Sequence, residues 1–343
     1  MSRIFIRGIG AVSPAGWGVN ALGDAVDKAE PLPQKELSRP GWTVPFQIRA
    51  VPPPSSRPSF MAHPRMRRTS PIAHYAVAAA LEALGDDAPA VSSGALRLGI
   101  VVCVMSGCVN YSRRFFDETL RDPGTASPLV FPETVFNAPG SHLAALLGAA
   151  GINYTLVGDP GTFLQGVALA ADWLVRGEAD GCLVLGAEEM DWLTADAFRL
   201  FTRSLVLSEG AGALYLRGAT AGESGIALHC VTHSHLFFDR RSWLDAATRV
   251  RAELPFAATG ELLCDSRLGL PRLDAPELNA WRGWKSERLS PKKTLGEGLM
   301  AAAAWQCVLA VDALRRSRGT ETNVSIVGCN QQAIGARFVK VES

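Results

Sequence analysis

The chain has 343 residues, 48% of them hydrophobic and 20% charged, with a formal net charge of +1. This length suffices for one large core or two fused halves, and a near-neutral charge without long like-charge tracts carries no nucleic-acid signature. Seven cysteines, scattered without close pairs, argue against a disulfide framework and for a reducing compartment, so a cytoplasmic location is expected.

The amino terminus opens as a buried strand over residues 4–9, with no basic region followed by an apolar core, so neither a signal peptide nor a membrane span is expected. A Ser-Pro-Ala-Gly turn and a helix through Val26 follow. Residues 31–64, rich in Pro, Ser and Arg, read as an irregular surface loop with one short strand near 46–51. Arg65, Arg67 and Arg68 in HPRMRRTSP then form a basic patch ahead of a helix over 74–84. The patch is either a docking point for an acidic partner or a phosphate group, or a solvated helix-entry loop.

Residues 96–104 form an apolar strand suited to the centre of a sheet. Cys103 and Cys182 fall inside apolar runs and read as small core hydrophobes, whereas Cys108 lies just past the strand end. Residues 111–135 carry several aromatics and a helix with Arg113 and Arg114.

The stretch 137–189 reads as loop, helix, strand (INYTLVG), turn (DPGT), long helix and buried strand. A strand's carboxyl end meeting a helix's amino end is where an α/β fold usually places a reactive group or bound anion. Asp159 suits the helix N-cap and Pro160 the position after it, where a missing N–H costs nothing. Leu164, Val167, Ala168, Ala171, Leu174 and Val175 recur at amphipathic helical spacing.

A helix over 194–201 leads to LVLSEGAG, whose Gly210 and Gly212 point to tight packing of two halves rather than to a phosphate loop. Alternation over 226–235 puts His229, Val231, His233 and His235 on one strand face, but without a nearby Cys/Asp set of regular spacing no metal site is assigned. A helix over 237–256, a strand at Leu262 and Leu263, an alanine-rich buried helix over 299–314 and a closing hairpin of 323–328 with 337–341 complete the chain. Helices alternating with short apolar strands in two similar halves fit a layered α/β architecture.

Four segments in order, FIRGIGAVSPAG, FNAPGSHLAALLGAAGINYT, RGEADGCLVLGAEE and LVLSEGAGALYL, resemble the β-ketoacyl synthase family of condensing enzymes. The resemblance implies a thiolase-like αβαβα fold of two similar halves, here 1–217 and a shortened 218–343. In active members a cysteine at the amino end of the long helix is the acyl-accepting thiolate, made acidic by the helix dipole. Gapless alignment puts Pro160 there. Two histidines, in HGTGT-x-x-ND and K-x-x-x-GH segments, normally polarise the thioester carbonyl and stabilise the carbanion. This chain has no histidine after His235. SRLGLPRLD carries Ser266 at the first histidine position, and KKTLGEG keeps Lys292 but carries Glu297 at the second. The gating loop is represented by CNQQA at 329–333.

The substitutions imply a catalytically silent ketosynthase homologue resembling chain-length factors of type II polyketide and aryl polyene systems. Its expected partner is an active ketosynthase in a heterodimer, or a second copy in a homodimer, with acyl carrier protein as a further partner and no cofactor. The alternatives are an unusual β-ketoacyl synthase with relocated catalytic groups and a non-catalytic acyl-binding protein. Asp159, Thr162, Cys108 and Gln331 are the candidate substrate-binding residues. The INYT strand is expected to pair across a dimer axis.

Overall fold

The computed structural model describes residues 3–200, 202–220, 222–255 and 261–342; Phe201 and Phe256, expected at helix ends, lie outside the described residues. The amino half contributes β1 (Ile4–Ser13), β2 (Leu98–Val104), β3 (Asn153–Val157), β4 (Gly181–Glu188) and β5 (Gly210–Gly218). The carboxyl half contributes β6 (Gly225–Val231), β7 (Glu261–Cys264), β8 (Arg288–Leu289), β9 (Glu321–Val327) and β10 (Gln332–Val341). They run β3-β2-β4-β5-β1 and then β6-β10-β9-β7-β8 across one continuous sheet. Read from its outer edge inward, each half shows its third, second, fourth, fifth and first strand, so the topology is repeated. The halves meet where β1 lies antiparallel to β6, with Ile4 opposite Leu228 and Phe5 opposite Ala227.

Helices supply the other layers. α1 (Pro71–Leu84) and α2 (Ala138–Leu147) cover the outer face of the amino half, and α4 (Arg240–Glu253) with α5 (Pro271–Ala280) covers that of the carboxyl half. α3 (Thr162–Val175) and α6 (Met300–Arg315) form the middle layer and touch strands of both halves. This is the expected thiolase-like αβαβα arrangement. α6 is buried on nearly every side, as a helix written MAAAAWQCVLAVDALR must be.

Its small residues let the sheet approach closely. A Cβ on Gly212 would sit 2.7 Å from the Ala304 methyl, and one on Gly186 2.3 Å from the Met300 carbonyl oxygen. The Trp305 indole N–H donates to the carbonyls of Val12, at 3.1 Å, and Ala211, at 2.9 Å. The glycines of LVLSEGAG thus seat the carboxyl-half helix, as expected from their spacing.

Several bounds differ from expectation for identifiable reasons. The helix expected over 74–84 starts at Pro71, because Ser70 and the Ile72 amide are held by buried Glu189. The helix expected from Thr194 begins at Trp192, since Asp191 caps it through the Leu193 amide. The short strand in the 31–64 loop pairs with Lys35–Leu37 and Leu207–Ser208 in a separate small sheet. The single face expected for His229, His233 and His235 does not form: register shifts between Leu228 and Cys230, and the strand ends at Val231. His233 and His235 instead share the Glu253 carboxylate, at 3.2 and 2.6 Å. Among the described residues no group of three or more His, Cys, Asp or Glu could hold a metal ion, and no helix is long and apolar enough to cross a membrane.

Candidate functional site

The turn between β3 and α3 is tighter than the sequence indicates. Helical structure starts at Thr162, with Gly161 as N-cap, so Pro160 precedes the helix and is buried. Asp159 does not cap α3, which corrects the expected role. Its carboxylate instead accepts the amides of Asn330, Gln331 and Gln332 at 3.1, 3.3 and 3.2 Å, and the Cys329 thiol at 3.4 Å. A carboxylate can take several donors, and a loop with free amides is the stronger customer for them than a helix whose N-cap backbone is already closed by the Thr162 amide on the Asp159 carbonyl, at 2.7 Å. Burial nevertheless pushes the Asp159 carboxyl up, against the pull of these donors. Thr162 accepts from the Gln332 side chain at 3.1 Å, which ties the turn to the same loop.

The carboxyl half supplies the facing groups. Ser266 follows β7 and is buried; its hydroxyl lies 3.1 Å from the Ser325 carbonyl and accepts the Val327 amide at 3.0 Å. It is an internal tie between neighbouring strand ends. Glu277 on α5 accepts the Ser266 amide at 2.9 Å and the Ser325 hydroxyl at 2.6 Å. Burial, and then the nearby Asp265, push Glu277 up to about 8, so it is largely protonated at neutral pH.

Lys292 and Glu297 form a buried ion pair of 2.7 Å, each side chain only 2% exposed. Glu297 also accepts the Leu299 amide at 2.8 Å. Burial opposes the charge on Lys292, but Glu297 outweighs it and keeps the ammonium protonated.

These groups border a cavity of about 250 Å3 lined by Ser266, Glu277, Lys292, Glu297 and Cys329 on its polar side. Phe198, Leu205, Trp243, Leu268 and Leu273 are among its apolar walls. Of the residues singled out from sequence, Ser266, Lys292 and Glu297 are brought together here, whereas Pro160, Asp159, Thr162, Cys108 and Gln331 do not line the cavity. Cys108 is buried ahead of the helix Val109–Arg121, and burial followed by Glu189 holds its thiol protonated. Gln331 is exposed, and only its backbone meets Asp159.

Sequence reasoning missed the thiol that does reach the cavity. Cys329 sat inside the recognised gating segment, which was the available signal; Trp243 and Glu277 gave none. Burial, then Asp159 and Glu297, push the Cys329 thiol well above its ordinary range, and Lys292 only partly opposes them. The thiol therefore stays protonated and donates to Asp159. As arranged, the site can enclose a small molecule, but it presents neither a thiolate nor an imidazole to a thioester.

The doubled strand order, the middle helix pair and the facing turns define a condensing-enzyme architecture of the thiolase type. A model of the beta-ketoacyl synthase N-terminal domain matches residues 1–222, and the chain belongs to that family. Among solved structures it is similar to the ishigamide ketosynthase/chain length factor, with a TM-score of 0.79 and 19% identity over 99% of each chain. It is similar to the ketosynthase ApeO in complex with its chain length factor ApeC from Xenorhabdus doucetiae, with a TM-score of 0.79 and 14% identity over 99% of this chain and 98% of that one. A third structure, AntDE:AntF, a type II polyketide acyl-carrier protein in complex with its ketosynthase, matches with a TM-score of 0.77 and 15% identity over 99% of each chain. At such identities the likeness is one of fold. No curated protein sequence matches the chain.

Proposed function

We propose that the chain is a catalytically silent ketosynthase homologue acting as the chain-length-factor-like partner of an active β-ketoacyl synthase in polyketide or fatty acid biosynthesis. The observation that carries this reading is Pro160. It occupies the position of the acyl-accepting cysteine and has neither a thiol nor an N–H, and the histidine positions hold Ser266 and Glu297, both already committed to internal bonds. Loss of a nucleophile and its supporting groups removes several orders of magnitude in rate.

The surface supports a partner. β3 is the last strand at its end of the sheet, and Tyr154 and Val157 on it are 52% and 53% exposed. Exposed Phe116 and Leu120 on the helix Val109–Arg121, with Leu129 and Phe131 just beyond it, add further apolar area. An uncovered edge strand with apolar side chains invites pairing, which a monomer in water normally avoids. Arg65, Arg67 and Arg68 are exposed and form no ion pair among the described residues, which suits contact with an acidic carrier protein. The free cysteines fit a reducing, cytoplasmic setting.

Co-expression with an active ketosynthase from the same genome tests the reading: the two chains are expected to purify as a stable heterodimer. A second reading, a condensing enzyme with relocated groups, is favoured by Cys329 at the cavity. It predicts a homo-oligomer in which an acyl thioester or a cerulenin-type reagent labels Cys329. That result in place of a heterodimer would overturn the proposal.

A further inference from the structure

A second pocket, of about 310 Å3, shares no lining residue with the cavity. Alternation along the chain separates the two: Ser266, Leu268 and Lys292 line the cavity, whereas their sequence neighbours Arg267 and Lys293 line the pocket. Beneath it lies Asp265, wholly buried, whose one carboxylate serves two guanidinium groups. Arg267 Nε donates to it at 2.6 Å, and Arg288 Nη1 lies 3.5 Å away. The Ser290 hydroxyl donates to Asp265 at 2.7 Å and accepts Arg267 Nη2 at 2.9 Å. These contacts hold the two arginine side chains at 16% and 17% exposure. Burial presses on the charge of Arg288; Asp265 supports that charge, and Arg267 opposes it again. Two half-desolvated cations on one carboxylate are short of negative charge.

The acids that line the pocket do not supply it. Asp27 and Glu287 are both bonded by Arg318, and Arg316 lies 3.9 Å from Asp27 while pairing with Asp312 at 2.8 Å. Lys293 is exposed, and its ammonium has no ion pair or hydrogen bond among the described residues. Arg267, Arg288, Lys293, Arg316 and Arg318 thus meet Asp27, Asp265, Glu287 and Asp312, five cations to four carboxylates, with the surplus around Lys293 and the two arginines on Asp265. Guanidinium forks and an ammonium beside hydroxyl groups are a donor set suited to a phosphoryl group. Ser290 and Thr294 bring hydroxyls to the same wall. On the scale by which a dry cavity of about 150 Å3 holds benzene, the pocket has room for roughly twice as many atoms, more than a bare phosphate ion fills. We propose that this pocket binds a small phosphate ester, its phosphoryl oxygens taken by Arg267 and Lys293 and its organic group filling the remaining space. The site needs no covalent step, and it stands whether or not the chain pairs with a ketosynthase.

The test is titration calorimetry on the purified full chain at pH 8 and constant ionic strength, with glycerol 3-phosphate, inorganic phosphate and glycerol as probes. The ester is expected to bind at one site per chain, inorganic phosphate to bind the same site more weakly, and glycerol not to bind. Lys293→Ala, at an exposed and unpaired position, is expected to keep the native melting temperature and to weaken the ester about tenfold, the worth of one hydrogen bond to a charged group. Lys293→Glu reverses the charge and is expected to abolish binding of both anions. Arg267→Lys keeps a cation on Asp265 without the fork and is expected to weaken the ester by a similar factor. If Arg267→Lys does not fold, the two Lys293 variants decide. Absence of ester binding, undiminished binding in Lys293→Glu, or tighter binding of inorganic phosphate than of its ester would each overturn the proposal. So would an equal rise in melting temperature with chloride at the same ionic strength, which marks screening alone. Loss of ester binding on replacing Arg65, Arg67 and Arg68 instead would move the anion to that patch and overturn it too.

Discussion

Replacing Lys292 with Met removes one member of a pair whose atoms lie 2.7 Å apart at 2% exposure, leaving the Glu297 carboxylate buried with the Leu299 amide as its remaining donor. Breaking a buried pair from one side costs about 3–5 kcal/mol, because the orphaned charge keeps its desolvation penalty. With an unfolding entropy of about 2.1 cal/mol/K per residue, this chain of 343 residues loses about 6 °C in melting temperature for about 4 kcal/mol. Replacing both residues, Lys292→Met with Glu297→Leu, is expected to recover most of the loss, since two apolar groups of similar size fill the space without buried charge. Scanning calorimetry of the single and double variants at pH 8 reads both outcomes. A single variant that melts within 1 °C of the native chain at pH 8, or a double variant worse than the single by the full amount again, refutes the buried-pair account.

Three further outcomes follow from the same geometry. Asp159→Asn leaves one acceptor oxygen for three amides and a thiol; about 1–3 kcal/mol of stability should go, with faster hydrogen exchange at 330–332 read by mass spectrometry. Burial pushes Glu188 up to about 8 and Glu189 up to about 7, so the folded chain holds protons that the unfolded chain has released. Stability from these two groups is full below about pH 4.5 and falls by up to about 2.7 kcal/mol per pH unit between about 5 and 7; Glu188→Gln should roughly halve that slope in urea titrations. Val157→Asp with Leu120→Asp puts charges on exposed apolar positions of β3 and of the helix Val109–Arg121 and should abolish a co-purifying partner while leaving the melting temperature of the lone chain within about 1 °C.

Much of the architecture was legible in the sequence because it is written in local periodicity. An alanine-rich run such as that of α6 can only be a helix packed on all sides, and apolar strands such as β2 and β4 can only be central. The glycines at 210 and 212 were readable too, since a residue without a Cβ is what a close helix demands. Shorter signals misled where a distant group competed. Asp159 has the local grammar of a helix cap, yet three amides some 170 positions later claimed its carboxylate. The histidines near 233 have a strand's alternation, yet a register shift dissolved the shared face.

The sequence by itself determined the family resemblance and the proposal that Pro160, Ser266 and Glu297 stand at its catalytic positions, because both are read from residue identity and order. Tertiary structure alone decided that Lys292 and Glu297 neutralise one another, that Cys329 reaches the cavity with its thiol held protonated, and that Arg267 and Arg288 share the Asp265 carboxylate. Charge, ionisation and hydrogen-bond satisfaction depend on which groups meet and how much water is excluded, and both are set by contacts between residues far apart in the chain.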